Sequence, residues 1–212
     1  ANTVAGDYYD VFPRPGKTNE DNRVVLAVAD VAGKSIPAAM LMATFQASLK
    51  TLSTAQVALP ELAANMNRYA CSNSQGGLRF TTAFLAEYDP VHRTVHYINA
   101  GHNNPVLRRA SGQVERLDVG GLPFGIMPEA KYEDATVSLA PGDWLIIFTD
   151  GLVEAVNGRD EEYGEIRLLA AMESGKTFPP GDLLNRLMAE LDVFVGNTPQ
   201  HDDVTCMLLK AV

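Results

Sequence analysis

Three apolar runs in this chain are punctuated by aspartate, and that punctuation limits what the chain can fold into. Residues 23–29 (RVVLAVA) lead into Asp30, residues 144–149 (WLIIFT) lead into Asp150, and residues 204–209 (VTCMLL) follow Asp202 and Asp203. Runs of this length and composition read as buried strands. Aspartate is disfavoured inside a strand, so the acids mark strand ends. If the runs are neighbouring antiparallel strands, the ends of two meet the start of the third, and the carboxylates gather at one rim of a sheet. Carboxylates crowded at a buried rim repel one another and lose hydration, which costs several kcal/mol per charge unless cations neutralise them. The pattern points to a divalent-metal site.

The rest of the chain supplies the frame. Residues 4–12 alternate loosely and read as a strand, and residues 13–22 (PRPGKTNEDN) read as a turn-rich connection. Ser35 is placed to cap a helix, with Pro37 in its first turn, where a missing N–H does no harm. That helix runs to about Leu52 and is apolar almost all round (Ala38, Ala39, Met40, Leu41, Met42, Ala43, Phe45, Ala47), which predicts a buried helix. A second helix follows over about 60–72. Residues 80–88, 94–99, 105–109, 114–117, 132–139 and 144–149 are short β-like runs joined by turn residues. Helices are expected over about 162–172 and 182–195. The second carries Leu184, Leu187, Met188, Leu191 and Val195 on one face, with Gly196 as its stop. Helix pairs bracketing many antiparallel strands predict an α+β fold, an antiparallel β-sandwich flanked by α-helices on both outer faces.

At 212 residues the chain is long enough for one good core and too short for two ordinary domains, so a single domain over 1–212 is expected. It opens in ANTVAGDYYD without an initiator Met, as a domain excised from a longer multidomain regulator would. The net charge of -9 disfavours non-specific binding to nucleic acid or anionic lipid. No apolar stretch approaches the roughly 18 residues needed to cross a bilayer, and no signal peptide is visible. Cys71 and Cys206 form no spaced framework, which fits core packing in a reducing cytoplasm; a disulfide between them is disfavoured.

Each acid has a bland alternative as a turn or cap residue. Asp30 precedes Ala32-Gly33-Lys34-Ser35, which hints at a phosphate loop. Such a loop needs glycine five positions before the Gly-Lys pair, and that position is Val28. Asp150 opens a common Asp-Gly turn, strengthened by the central-strand run before it. Neighbouring strand residues face opposite sides, so only one of Asp202 and Asp203 should point inward, and Asp202 is favoured. The same argument favours Asp7 over Asp10 in GDYYD. Glu20 and Asp21 read as surface charges. His92, His96, His102 and His201 lack zinc-site spacing; His102, in a Gly/Asn/Pro turn, is a weak candidate for lining a pocket, and His201 for supporting Asp202. Carboxylates without histidine ligands make a hard oxygen site, which selects Mg²⁺ or Mn²⁺.

The ordered motifs GDYYD, ADVAGKSIPAAMLMA, RFTTAFLAEYDP, NAGHNNPVL, GLPFGI, PGDWLIIFTDGLVEAVN and HDDVTCMLL cover nearly the whole chain. Together they resemble the SpoIIE/RsbU-type bacterial serine phosphatase domains of the PPM (PP2C-like) metal-dependent protein phosphatase superfamily. The resemblance implies an antiparallel β-sandwich flanked by helices. It implies two Mn²⁺ or Mg²⁺ ions, with Asp30 bridging them, the Val31 backbone carbonyl beside it, Asp150 and Asp202 as further ligands, and Asp7 reaching the second metal through water. Asp30, Asp150 and Asp202 then carry the catalysis. The chain departs from eukaryotic relatives in having no arginine near Asp7 and Ala32 or Gly33 in place of a histidine, so leaving-group protonation falls to water or another group. Lys34 and His102 are weak candidates for substrate contact.

The implied reaction is hydrolysis of phosphoserine or phosphothreonine on a protein by metal-activated water, without a covalent enzyme intermediate. The implied substrate is a STAS-type anti-sigma-factor antagonist, with an upstream sensor or receiver domain controlling activity in sigma-factor regulation. Loops 72–79 and 126–134 are left open as a substrate rim or a homodimer contact. The alternatives are a pseudo-phosphatase acting as a regulatory binding module, and a small-molecule or nucleotidyl hydrolase. The retained aspartates disfavour the first, and the lack of a glycine-rich phosphate loop disfavours the second.

Overall fold

The computed structural model describes residues 6–15, 22–33, 36–55, 57–74, 79–200 and 202–212. In chain order the elements are β1 (Asp7–Pro15), β2 (Asn22–Val31), α1 (Ile36–Thr54), α2 (Leu59–Asn73), β3 (Thr81–Asp89), β4 (Thr94–Ala100), β5 (Val106–Arg108) and β6 (Val114–Arg116). They continue with β7 (Gly120–Gly121), β8 (Ala135–Ser138), β9 (Trp144–Phe148), α3 (Asp150–Val153), α4 (Gly164–Ser174), α5 (Pro180–Val195) and β10 (Cys206–Lys210). The fold is mixed α+β, as expected. The chain divides into two compact units, one of Ala1–Asn104 with Leu117–Leu139 and one of Pro105–Arg116 with Ala140–Val212.

In the first unit β1, β2, β3 and β4 pair antiparallel in that order. The far edge of β4 is shared by β7, which runs parallel to it, and β8, which runs antiparallel. Ala27, Ala29, Val31, Leu85, Ile98 and Ala100 form one sheet face, which packs with Met42, Phe45 and Leu49 of α1 and Leu62 and Met66 of α2. The alternate residues Leu26, Val28, Phe84, Ala86 and Tyr97 are buried too. Strands buried on both faces cannot alternate apolar with polar, which is why β2 and β3 read as unbroken apolar runs.

The expectation that α1 is buried all round is corrected here. Ala38, Met42, Phe45 and Leu49 recur at helical spacing and are buried, while Ile36 is 68% and Met40 67% exposed. A helix lying on one sheet face buries only one stripe, whatever its remaining residues. Below its C-terminal end, Arg14 of β1 pairs with Glu87 of β3, and both are buried. Arg14 also donates to the carbonyls of Ala55 at 3.1 Å and Val57 at 2.6 Å, just past α1, and Arg23 gives Glu87 a second partner at 3.0 Å. Asp10 lies within β1 and pairs with Lys50 of α1 at 2.7 Å.

In the second unit the sheet order is β10-β9-β5-β6, antiparallel throughout. Val106, Trp144, Ile146 and Phe148 pack on Leu168 and Met172 of α4 and Leu183, Leu187 and Leu191 of α5. The buried stripe of α5 is thus one residue off the expected face: Leu187 and Leu191 are shared, Leu183 joins them, and Leu184, Met188 and Val195 are half-buried. Gly196 stops the helix as expected, with φ 62° and its N–H donating to the Asp192 carbonyl. The strand expected over 132–139 shrinks to β8, and two elements, β7 and α3, had no signal in the sequence. Both cysteines are free thiols.

Candidate metal centre

In the first unit, Asp7 stands opposite Asp30 across the β1–β2 ladder, and Thr82 stands opposite Asp30 from β3. Directly opposed residues share a sheet face. This face is the one turned away from α1 and α2, because Tyr8, Ala29 and Ala83, one step along each strand, belong to the helix-covered core. Two carboxylates placed opposite one another repel, so the arrangement favours a nearby cation.

The backbone around Asp30 adds oxygen donors. A Cβ placed on Gly6 would sit 3.4 Å from Asp30 Oδ1, 3.4 Å from the Val31 carbonyl and 3.6 Å from the Gly33 carbonyl. Three oxygens therefore border one small space that the missing side chain leaves. The strand end is held by the Val31 N–H donating to the Gly6 carbonyl and the Ala32 N–H donating to the Phe80 carbonyl.

His102 is buried near the same strand end. Its Nδ1 is 3.0 Å from the Thr82 hydroxyl, which in turn reaches the Asp30 carbonyl at 3.5 Å. Its backbone N–H donates to Asn99 Oδ1 at 2.7 Å, and the Asn99 amide donates to Asn104 Oδ1 and the Leu117 carbonyl. Asn99 was missed in the sequence. An asparagine at the end of a strand, two residues before Gly101, is the available signal, because its side chain readily bonds the backbone of a following turn. Lys34, Ser35, Glu20, Asp21 and His201 lie outside the described residues.

In the second unit, β9 delivers Thr149 and Asp150. Thr149 is fully buried; its N–H donates to the Thr205 carbonyl and its hydroxyl accepts from the Thr205 N–H, each at 3.0 Å. Asp150 opens the single turn of α3, which the Glu154 N–H closes on the Asp150 carbonyl at 2.8 Å. A Cβ on Gly151 would overlap the Asp203 carbonyl oxygen and would lie 3.4 Å from Asp202 Cβ. Only glycine allows these two backbones so close, and the contact brings Asp150 to the Asp202-Asp203 pair. Asp202 is exposed, and its Oδ1 accepts from the Asp203 N–H at 3.0 Å.

Glu154, which the sequence reading passed over, belongs to this acidic group. Partial burial pushes its carboxyl above the ordinary range, and repulsion from Asp150, Glu162 and Asp202 adds to the shift. Within either unit, among the described residues, no three His, Cys, Asp or Glu side chains form a metal cage alone. In the first unit, waters and main-chain carbonyls such as that of Val31 would complete a cation site built on Asp7 and Asp30. The donors are all oxygen, and they fit a hard divalent ion.

The Stage II sporulation protein E (SpoIIE) family model matches residues 20–212. Among curated proteins the chain is 27% identical to Protein IcfG of Synechocystis over 97% of its own length and 36% of that protein's. It is 28% identical to Phosphoserine phosphatase RsbU of Bacillus subtilis over 73% of its length and 44% of that protein's. It therefore spans less than half of either relative. Among solved structures, the SiaA-PP2C domain of Pseudomonas aeruginosa matches with a TM-score of 0.81 at 20% identity, over 99% of this chain and 82% of that one. The PP2C phosphatase domain of SpoIIE from Bacillus subtilis matches with a TM-score of 0.81 at 20% identity, over 98% and 58%. RsbX, solved in complex with magnesium, matches with a TM-score of 0.68 at 20% identity, over 98% and 87%. The fold is thus PP2C-like, and with most of its length under the family model this chain belongs to the SpoIIE family, alongside relatives named as phosphoserine phosphatases.

Proposed function

We propose that this chain is a divalent-metal-dependent protein phosphatase that hydrolyses phosphoserine or phosphothreonine on a regulatory protein, an anti-sigma-factor antagonist of the STAS type. The observation that carries the reading is the oxygen-lined space beside Gly6, where Asp30 Oδ1 and the Val31 carbonyl turn to one point inside a SpoIIE-family sequence. The names of RsbU and RsbP as phosphoserine phosphatases support the substrate class, and the magnesium in the RsbX structure supports the ion.

In this reading Asp7, Asp30, the Val31 carbonyl, Asp150 and Asp202 hold two Mg²⁺ or Mn²⁺ ions. Such ions supply a more acidic water at neutral pH and offset phosphoryl charge. The protein's own part is positional. The β1–β2 ladder sets Asp7 against Asp30, the Gly151 contact sets Asp150 beside Asp202, and Thr82 with His102 orients the end of β2. His102 then serves as a positioning residue. Neither thiol suits a covalent route: burial pushes Cys206 up to about 12 and raises Cys71.

The test is phosphate release from phosphoserine peptides and from p-nitrophenyl phosphate with Mn²⁺, with EDTA, and with Asp150→Asn. Turnover should need the ion and fall at least about a hundredfold in the variant, the scale seen when one key electrostatic group is lost from a site. Turnover indifferent to both EDTA and the substitution would falsify the reading. Metal-dependent phosphopeptide binding without turnover would instead indicate a regulatory binding module.

A further inference from the structure

The second unit holds a cavity of about 510 Å³ whose lining includes Asp202 and residues of α5. Its lining is mixed: Met188, Val195 and Val204 are half-buried and leave hydrocarbon open to solvent, while Gln200 and several acids supply polar surface. Its rim carries Glu154 and Asp192, and no lysine or arginine lines it among the described residues. Among the described residues neither rim acid has an ion-pair partner, although other acids of the chain are paired, such as Asp10 with Lys50 and Glu115 with Arg109. A trough with an apolar stretch and an acidic edge that no described cation offsets, lined in part by a candidate catalytic aspartate, is suited to an apolar group accompanied by positive charge.

We propose that this cavity receives an apolar side chain of the phosphoprotein substrate, with a lysine or arginine beside it in the substrate facing Glu154 and Asp192. This rests on the phosphatase reading and specifies its substrate. The volume takes one large aliphatic or aromatic side chain with room for the adjoining backbone. Because Asp202 itself lines the cavity, the apolar residue belongs within about four positions of the phosphoserine, each extended residue spanning roughly 3.3 Å. Among the described residues the lining supplies no cation to diminish the attraction for the substrate's basic residue.

The test compares kcat/KM with Mn²⁺ for phosphoserine peptides that differ only at two neighbouring positions, leucine against serine and arginine against glutamate. The pair is moved stepwise along each side of the phosphoserine. At one position, leucine should be preferred by about tenfold, the scale of filling an apolar pocket. Arginine should be preferred there by about three- to fivefold, as expected for exposed charge pairs. Asp192 is exposed, so Asp192→Lys should fold normally and invert the arginine preference while keeping the leucine preference. Met188→Ala should lower the leucine preference.

Peptide turnover with both ratios near one at every position overturns the proposal, as does an arginine preference that Asp192→Lys leaves unchanged. Hydrolysis of p-nitrophenyl phosphate but of no peptide overturns it while sparing the metal chemistry. Absence of any metal-dependent turnover removes the phosphatase reading and this one with it. A dimer that Met188→Glu dissociates, with peptide selectivity unmoved, would assign the trough to a second copy of the chain and also overturn the proposal.

Discussion

Single residues set the reach of the candidate site, and Gly151 shows how. A Cβ added there would overlap the Asp203 carbonyl oxygen, and a backbone oxygen cannot rotate away as a side chain can. Gly151→Ala should cost about 1–3 kcal/mol by overpacking and should depress metal-dependent activity more than stability alone explains. Urea midpoints measured beside initial rates will show whether the two separate. The sequence marks Asp-Gly as a turn; its role as a close approach depends on the backbone of Asp203, some 50 residues later. Asp143 makes a second residue-scale case. It is buried and accepts from the Ala140 and Ala110 N–H groups and from Arg109. Burial raises its carboxyl, but those three donors outweigh burial and hold it below the ordinary range. A depressed folded-state pKa stabilises above the unfolded value of about 4. Asp143→Asn should therefore lose about 1.5–3 kcal/mol near neutral pH, the scale of hydrogen bonds to a charged group. Its gap from the parent protein should close as pH falls from about 4 through the depressed value. A gap that stays constant down to acid would refute the charge argument.

Among elements, the existence of strands and helices is legible in the sequence, whereas their buried faces and ends are less so. Helix α1 was placed within about two residues, yet its Ile36 and Met40 face outward. Composition reports how apolar a helix is, not how many neighbours it has. The same limit moved the stripe of α5 by one residue to include Leu183. The ion pair beneath α1 had no sequence signal at all, because Arg14 and Glu87 are 73 positions apart. Arg14→Ala would leave Glu87 buried with Arg23 alone and would release the Ala55 and Val57 carbonyls. A loss of about 3–5 kcal/mol is expected, as when one partner of a buried pair is removed. Arg14→Met, which fills the space but provides no charge, should recover little unless Glu87→Leu accompanies it. Equal stability of the parent and Arg14→Ala in denaturant would show that the pair contributes nothing.

For the whole molecule, each unit carries its own core, and each is assembled from two separate stretches of chain. If the acids hold ions, folding and binding are linked, and saturation at a hundred times Kd should add about 2.7 kcal/mol. Mn²⁺ or Mg²⁺ should then raise Tm, EDTA should reverse the gain, and Asp30→Asn should reduce it; a Tm unmoved by millimolar ion would count against the site. By itself the sequence determined where apolar runs begin and end, which acids punctuate them, that Gly196 stops a helix, and that an oxygen-rich site suits a hard cation. Those properties are local, fixed by side-chain type and the two- or 3.6-residue period. The tertiary structure alone decided which runs share a sheet, that β7 runs parallel to β4, that Asp7 faces Asp30, and that Thr149 locks onto Thr205. Such pairings join residues from about 20 to more than 50 positions apart. Many registers satisfy the same local pattern, and only the packing of all the strands and helices together selects one.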